Sequence, residues 1–175
     1  VSGAEHYRLA LETVPDHPVA LRALELAYRR AGDDKALASF YHREALVTDQ
    51  DDRKLTLLCR AAELYETAHG DDGKAAELYA EALERDPNSL AALRGRRRIA
   101  EKTGEVQVAL DAIRREGELC ADEERSLELL YEAGRVYETQ LADIAKASET
   151  YGAVLSKQAD HKPAFERLQA IYFQG

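Results

Sequence analysis

Large apolar side chains recur along this chain at a long, regular interval. One column has successive spacings of 37, 35, 37 and 35 residues and consists of Leu21, Leu58, Leu93, Leu130 and Phe165. A second column has the same spacings and consists of Tyr28, Tyr65, Ala100, Tyr137 and Tyr172. Several columns in one register predict a duplicated structural unit of about 36 residues.

Polar breaks separate the apolar stretches at the same interval. They contain a column of small residues, Gly32, Gly70, Gly104 and Ala142, and nine residues after each lies Tyr41, Tyr79, Ile113 or Tyr151. Glycine suits the left-handed conformation that ends a helix, and an aspartate such as Asp33 suits the cap that begins the next one. Both columns repeat after 72 residues, so two units together make one longer period.

The apolar positions within one unit have helical spacing, as in Leu21, Leu24 and Tyr28. The pattern predicts ten helices and no strand, near residues 4–14, 18–31, 34–48, 52–69, 72–85, 88–103, 105–120, 123–140, 143–157 and 162–174. A lone helix pair cannot bury its apolar face, whereas stacked pairs share one core, so we expect an all-α solenoid of antiparallel helix pairs. We expect the column tyrosines to pack in that core, with their hydroxyl groups at its edge.

The segment 75–87, with small residues around Tyr79 and a closing Pro87, resembles the tetratricopeptide-repeat family. Gly134 and Tyr137 also lie where that family has a glycine and a tyrosine. The resemblance implies a right-handed superhelix and a single array over residues 1–175, with about four full repeats and partial units at both ends. Arg96 and Arg97 depart from the pattern, since the family has small or apolar residues there.

The ends of the sequence suggest a piece of a longer protein. The chain contains no methionine. Residues 172–175 resemble the remnant of a cleavable tag, but Tyr172 falls in register with the tyrosine column, so we favour native sequence through Tyr172 and leave residues 173–175 open. We therefore expect it to be a fragment, and we favour a cytoplasmic location for this segment. The oligomeric state stays open.

Composition and motifs argue against several functions. The net charge of −9, from 24 basic and 33 acidic residues, disfavours contact with phosphate backbones, so we expect no nucleic-acid partner. No apolar stretch reaches the roughly 20 residues of a membrane span. Because the sequence has no metal-ligand spacing, phosphate loop or nucleophile motif, we expect neither an enzyme nor a cofactor, metal or catalytic residue.

In the tetratricopeptide-repeat family the first helix of each pair lines a concave groove. The resemblance therefore implies that a partner is bound by Arg22, Arg29, Arg94, Arg98, Lys102, Tyr131 and Arg135. Arginine grips carboxylates with two parallel hydrogen bonds, so we expect the partner to be a protein or peptide with an acidic segment. One family subtype binds the terminal carboxylate of chaperones through lysines and asparagines, but the single asparagine here, Asn88, lies in a predicted turn.

Three hypotheses for the function remain open at this point. A scaffold with a binding groove predicts unpaired arginines on one concave face. A structural or regulatory spacer predicts the same arginines in salt bridges within the chain. An RNA-associated scaffold of half-repeat units requires the basic run Arg94–Arg98 to outweigh the net charge, and its affinity would fall steeply with salt.

Overall fold

The computed structural model describes residues 3–15 and 17–174, which form ten α-helices and contain no strand. The helices are α1 (Gly3–Thr13), α2 (Pro18–Ala31), α3 (Asp34–Val47), α4 (Asp51–Leu64), α5 (Asp72–Arg85), α6 (Leu90–Thr103), α7 (Val106–Leu119), α8 (Glu123–Thr139), α9 (Ile144–Lys157) and α10 (Lys162–Gln174). Each agrees with its predicted segment to within a few residues, and the all-α prediction is confirmed. Asp16 in a predicted turn and Gly175 in the tag-like end lie outside the described residues.

Side-chain caps determine where many of the helices begin. The aspartates whose carboxylates accept a hydrogen bond from the amide three residues later are Asp33, Asp71, Asp122 and Asp143. His17 and His161 do the same through Nδ1, which lies 3.3 Å from the amide nitrogen of Ala20 and 3.1 Å from that of Ala164. Each cap pairs an amide that the first helical turn leaves without a partner.

The predicted turn column adopts the left-handed conformation at all four positions. The φ angles are 64° at Gly32, 67° at Gly70, 78° at Gly104 and 52° at Ala142. The sequence predicted one continuous helix up to residue 69, but α4 ends at Leu64 and a π-helical turn, Tyr65–His69, follows it.

The chain divides into two compact units, residues 1–95 and 96–175, with the boundary inside α6. Helices that follow one another in sequence pack together, from α1 to α5 in unit 1 and from α7 to α10 in unit 2. The apolar columns contribute to the core through Leu58 in unit 1 and Tyr151 in unit 2, and Leu24 and Leu129, which lie outside the columns, are also fully buried. Phe165 of the same leucine column is 56% exposed, because its helix α10 packs against α9 on one side only.

Candidate functional site

The residues predicted to bind a partner fall in both units. Unit 1 contains Arg22, Arg29 and Arg94, and unit 2 contains Arg98, Lys102, Tyr131 and Arg135. All seven lie on α2, α6 or α8, the first helices of their helix pairs. Their surroundings differ from one residue to the next, and those differences determine which of them could meet a ligand.

Arg29 is held inside the chain by a three-residue network. Its Nη2 donates to the hydroxyl of Tyr41 at 2.8 Å, and its Nε lies 3.1 Å from Oε1 of Glu25. The Tyr41 hydroxyl in turn donates to the same Glu25 oxygen at 2.6 Å. Burial works to raise the pKa of Glu25, but the hydrogen bonds from Tyr41 and Arg29 outweigh it, so the pKa of Glu25 is lowered. The guanidinium of Arg29 therefore already has an internal carboxylate.

Arg22 instead lines a cleft of about 360 Å³ between α2, α3 and α4, here called the α2–α4 cleft. The cleft is lined by Pro18, Leu21, Arg22, Glu25, Phe40, Tyr41, Glu44, Arg53, Thr56, Leu57 and Arg60. This volume lies in the range that holds small ligands or a few side chains. Three arginines, two glutamates and a group of apolar side chains thus surround one space within unit 1.

Both glutamates of the cleft have partners from the chain. Glu25 belongs to the network with Arg29, and Glu44, which is only 4% exposed, has Oε2 3.2 Å from Nη2 of Arg53. Burial raises the pKa of Glu44, and the charges of Arg53 and Arg43 offset this only in part. The acidic groups of the cleft are therefore already neutralised by arginines.

Two arginines of the cleft make no ion pair with a carboxylate in the described part of the chain, although the charge of Arg60 helps to lower the pKa of Glu25. Among the described residues, the side chain of Arg22 makes no hydrogen bond or ion pair. The guanidinium of Arg60 lies 5.8 Å from the centre of the Tyr41 ring, within cation–π range, and makes no ion pair in the described part of the chain. Both side chains are exposed and border the same space.

The corresponding positions of the second 72-residue period carry a closed ion-pair network. Arg97 corresponds to Glu25, and Glu132 corresponds to Arg60, so the signs of the two charges are reversed. Arg97 forms ion pairs with Glu132, with Glu101 at 2.7 Å and with Glu116 at 3.7 Å. The arginine that departs from the repeat pattern is thus surrounded by carboxylates of its own unit.

The other predicted residues of unit 2 divide into engaged and exposed side chains. The ring centre of Tyr131 lies 5.6 Å from that of Tyr151 and 5.1 Å from that of His161, so Tyr131 belongs to a ring cluster. Arg98 and Lys102, like Arg94 of unit 1, interact with other groups of the protein. Arg135 on α8 is exposed, and its side chain has no hydrogen bond or ion pair among the described residues.

Comparison with known proteins identifies the fold of this chain. No protein family matches the chain by sequence, and no curated protein matches it either. Solved structures do match. The MamA protein matches with a TM-score of 0.55 and 21% sequence identity, over 88% of this chain and 80% of that one. The nearly identical TPR-like repeats of a Podosopora anserina protein match with a TM-score of 0.56 and 19% sequence identity, over 89% of this chain and 87% of that one. A tetratricopeptide repeat protein from Parabacteroides merdae matches with 0.56 and 18%, over 97% of this chain and 64% of that one. This chain has the tetratricopeptide-repeat fold.

The tetratricopeptide-repeat fold is an all-α solenoid of helix pairs. No group of three or more metal-binding side chains occurs among the residues that the structure describes. None of the described helices combines the length and apolarity that crossing a membrane requires.

Sequence reasoning missed two of the cleft arginines, Arg53 and Arg60. Both lie on α4, a first helix, but outside the rows that the family resemblance assigns to the groove. A signal was present in the 72-residue comparison, where Arg60 is replaced by Glu132 while the neighbouring Leu58 is kept as Leu130. A charge that reverses at a fixed place in a repeat indicates a changed role for that place.

Proposed function

We propose that this chain is a non-catalytic scaffold that binds an acidic segment of another protein, with the α2–α4 cleft as the main contact in unit 1. The observation that carries the proposal is the presence of Arg22 and Arg60 around a cleft of about 360 Å³ without an ion pair among the described residues. The cleft is lined by three arginines and two glutamates, in a chain of net charge −9. A guanidinium group without an ion pair in a concave site can bind a carboxylate through two parallel hydrogen bonds, and this geometry makes the binding specific.

Arg135 extends the proposal to unit 2, since it is also exposed on a first helix without a partner in the described residues. Arg94, Arg98 and Lys102 remain proposed contacts of lower weight, because each already interacts within the protein. Tyr131 would offer only the outer edge of its ring cluster. Arg29 would contribute by holding Glu25 and not by meeting the ligand.

The alternative is a structural spacer, and one observation favours it. Arg29 and Arg97 are both held in ion pairs within the chain, as a spacer predicts. Exposed pairs of this kind contribute little stability, whereas Arg97, with 15% of its side chain exposed, is largely withdrawn from water. The spacer hypothesis therefore applies best to unit 2.

Affinity capture from an extract of the source cells tests the proposal. The parent chain is compared with a variant carrying Arg22→Gln, Arg60→Gln and Arg135→Gln, and with a control carrying Arg8→Gln, Arg30→Gln and Arg114→Gln. The control removes the same charge from exposed arginines that do not line the cleft. Circular dichroism establishes that all three proteins are folded.

A protein retained by the parent and the control and lost by the first variant supports a binding scaffold. Retention of the same proteins by all three, or of none, contradicts it and favours the spacer. Retention of RNA that is released by moderate salt would instead support the nucleic-acid hypothesis.

A further inference from the structure

Unit 2 contains a larger cleft, here called the α7–α9 cleft, which lies between α7 and α9, the second helices of their helix pairs. It consists of two adjoining spaces of about 680 Å³ and 190 Å³ that share Ser126 and Lys157 as lining residues. Its floor is apolar and consists of Ile113, Leu127, Leu130 and Ala133. The α2–α4 cleft lies between two first helices instead, so the two clefts are different kinds of surface.

Charged side chains surround the opening of the α7–α9 cleft, and all of them are exposed. They are Arg114, Glu118, Glu123, Glu124 and Lys157. In the described part of the chain, none of these side chains makes a hydrogen bond or an ion pair. The C-terminal ends of α7 and α9 also border the cleft and carry partial negative charge. Three carboxylates and two such helix ends outweigh the two basic groups, so the opening favours a cationic ligand.

The first period of the chain has a lysine at a place where this cleft has space. Ser126 corresponds to Lys54, which lies 72 residues earlier and is half-buried on α4. The exchange of lysine for serine removes most of an alkylammonium chain, and the short Ser126 hydroxyl donates to the carbonyl of Gly117 at 2.8 Å. The space beside Ser126 is therefore the place of a lysine side chain, and its apolar floor suits the hydrocarbon stem.

A carboxylate beside this place has lost its cation as well. In the first period Asp51, which corresponds to Glu123, has Nη1 of Arg85 at 3.8 Å. In the second period Lys157 takes the place of Arg85 and makes no ion pair among the described residues. Glu123 lies three residues before Ser126 on α8, so both side chains are on one face of the helix. The carboxylate that a cation in this space would meet is thus without a partner in the described chain.

We infer that the α7–α9 cleft binds a lysine side chain of another protein. The hydrocarbon stem lies on the apolar floor beside Ser126, and the ammonium group meets the carboxylates of Glu123 and Glu124. The partner's lysine thereby takes the place in unit 2 that Lys54 takes in unit 1. This inference goes beyond the proposed function, because the cleft lies between second helices and takes a basic group.

Fluorescence anisotropy with a short labelled peptide of alternating lysine and leucine tests the inference. The comparison probe contains acetyllysine, which keeps the stem and removes the charge, and we expect it to bind about ten-fold more weakly or less. Glu123→Gln combined with Glu124→Gln should weaken binding of the lysine probe by about the same factor. Glu12→Gln combined with Glu149→Gln removes the same charge from exposed glutamates outside the cleft and leaves the affinity nearly unchanged.

A variant that fills the cleft from within the chain gives a second readout. Ser126→Lys installs the residue that the first period has at Lys54. We expect this protein to keep its helical circular dichroism spectrum and to lose binding of the lysine probe. Thr139→Lys is the matched control, because it adds the same charge at an exposed position near the other end of α8, and we expect it to retain binding.

Equal affinity for the lysine and acetyllysine probes would overturn the inference. Equal losses from the two glutamate pairs would also overturn it, because the probe would then be attracted to the acidic chain in general. Undiminished binding by Ser126→Lys would show that the probe does not enter the space of Lys54. None of these results affects the capture experiment with Arg22, Arg60 and Arg135, so failure of this inference and failure of the proposed function can be told apart.

Discussion

A tyrosine and a glycine fit together where α8 meets α9. Tyr151 is fully buried, and a Cβ added at Gly134 would lie 2.7 Å from the tyrosine ring. In the preceding unit the tyrosine position holds Ile113 and the glycine position holds Arg97. The smaller isoleucine removes the need for glycine, which accounts for an arginine at a place where the repeat pattern has a small residue.

Substitution of this glycine separates helix propensity from packing. We expect Gly134→Ala to lower the free energy of unfolding by about 1–3 kcal/mol, because the strain of overpacking outweighs the better helix propensity of alanine. Gly152→Ala in α9 is the matched control, because a Cβ there meets no atom within 4 Å. It should raise the free energy of unfolding by about 0.5–1 kcal/mol. Urea denaturation measures both, and a stabilising Gly134→Ala would show that Tyr151 does not require this space.

Glu44 makes the stability depend on pH in a direction opposite to that of an ordinary paired carboxylate. Because burial raises its folded pKa above the usual 4.5, the folded chain binds this proton more tightly than the unfolded chain does. Its contribution to stability therefore increases as the pH falls through the folded pKa toward 4.5. We expect the free energy of unfolding of the parent, relative to Glu44→Gln, to rise as the pH is lowered from neutral toward 4.5.

Urea denaturation of both proteins at several pH values measures this difference. The other titrating groups are present in both proteins, so their contributions cancel in the comparison to a first approximation. A difference that stays constant, or that falls toward low pH, would contradict the raised pKa of Glu44.

At the scale of the element, the four helix-ending turns share one hydrogen bond. The amide of the residue after the left-handed position donates to the carbonyl of the tyrosine column, for example from Asp33 to Tyr28 at 3.0 Å and from Asp143 to Tyr137 at 2.8 Å. The turns at Gly70 and Ala142 contain one residue more than the others, so the left-handed residue follows the tyrosine column by five residues there and by four residues at Gly32 and Gly104. After α4 this extra residue is part of the π-helical turn.

The fourth turn is the only one of the set that lacks glycine. Ala142 has a φ of 52°, a conformation that costs a residue with a Cβ about 1–2 kcal/mol. We therefore expect Ala142→Gly to raise the free energy of unfolding by about 1 kcal/mol, and Gly104→Ala, at a φ of 78°, to lower it by a similar amount. Thermal and urea denaturation check both changes, and a destabilising Ala142→Gly would mean that unfolded-state entropy outweighs the strain.

Most elements could be predicted from the sequence because their signals are local. Column spacing, aspartate caps and turn glycines each depend on a few neighbouring residues, and they placed all ten helices of residues 3–15 and 17–174 to within a few residues. The π-helical turn could not be predicted, because its sequence, Tyr65-Glu66-Thr67, recurs at residues 137–139 as ordinary α-helix. Only the contacts of each copy decide between the two conformations.

The candidate site was less predictable than the fold for a physical reason. A row of groove positions gives the residue type, but the availability of an arginine depends on which carboxylates and hydroxyl groups of its own helix and of neighbouring helices lie beside it. Arg29 was placed in the groove and is held by Glu25 and Tyr41, whereas Arg60 was overlooked and has no ion pair in the described chain. Arg22 and Arg135 are the predicted basic residues that also lack such partners there.

At the scale of the whole molecule, two 72-residue periods share a fold and differ in charge arrangement. In the second period, the charge of Arg97 is neutralised by ion pairs with the three glutamates around it. The first leaves two arginines beside a cleft, in a protein whose total charge is −9. This difference between the two periods is the basis for the proposal that a partner binds at the cleft of unit 1.

Site-specific photo-crosslinking in the source cells tests this claim most directly. A photoreactive phenylalanine derivative replaces Thr56, which lines the α2–α4 cleft, or Glu128, its exposed counterpart 72 residues later. The account predicts a covalent adduct with another protein from position 56 that disappears when Arg22→Gln and Arg60→Gln are added, and no such adduct from position 128. An adduct that forms only at position 128, or one at position 56 that is indifferent to both arginines, would contradict it.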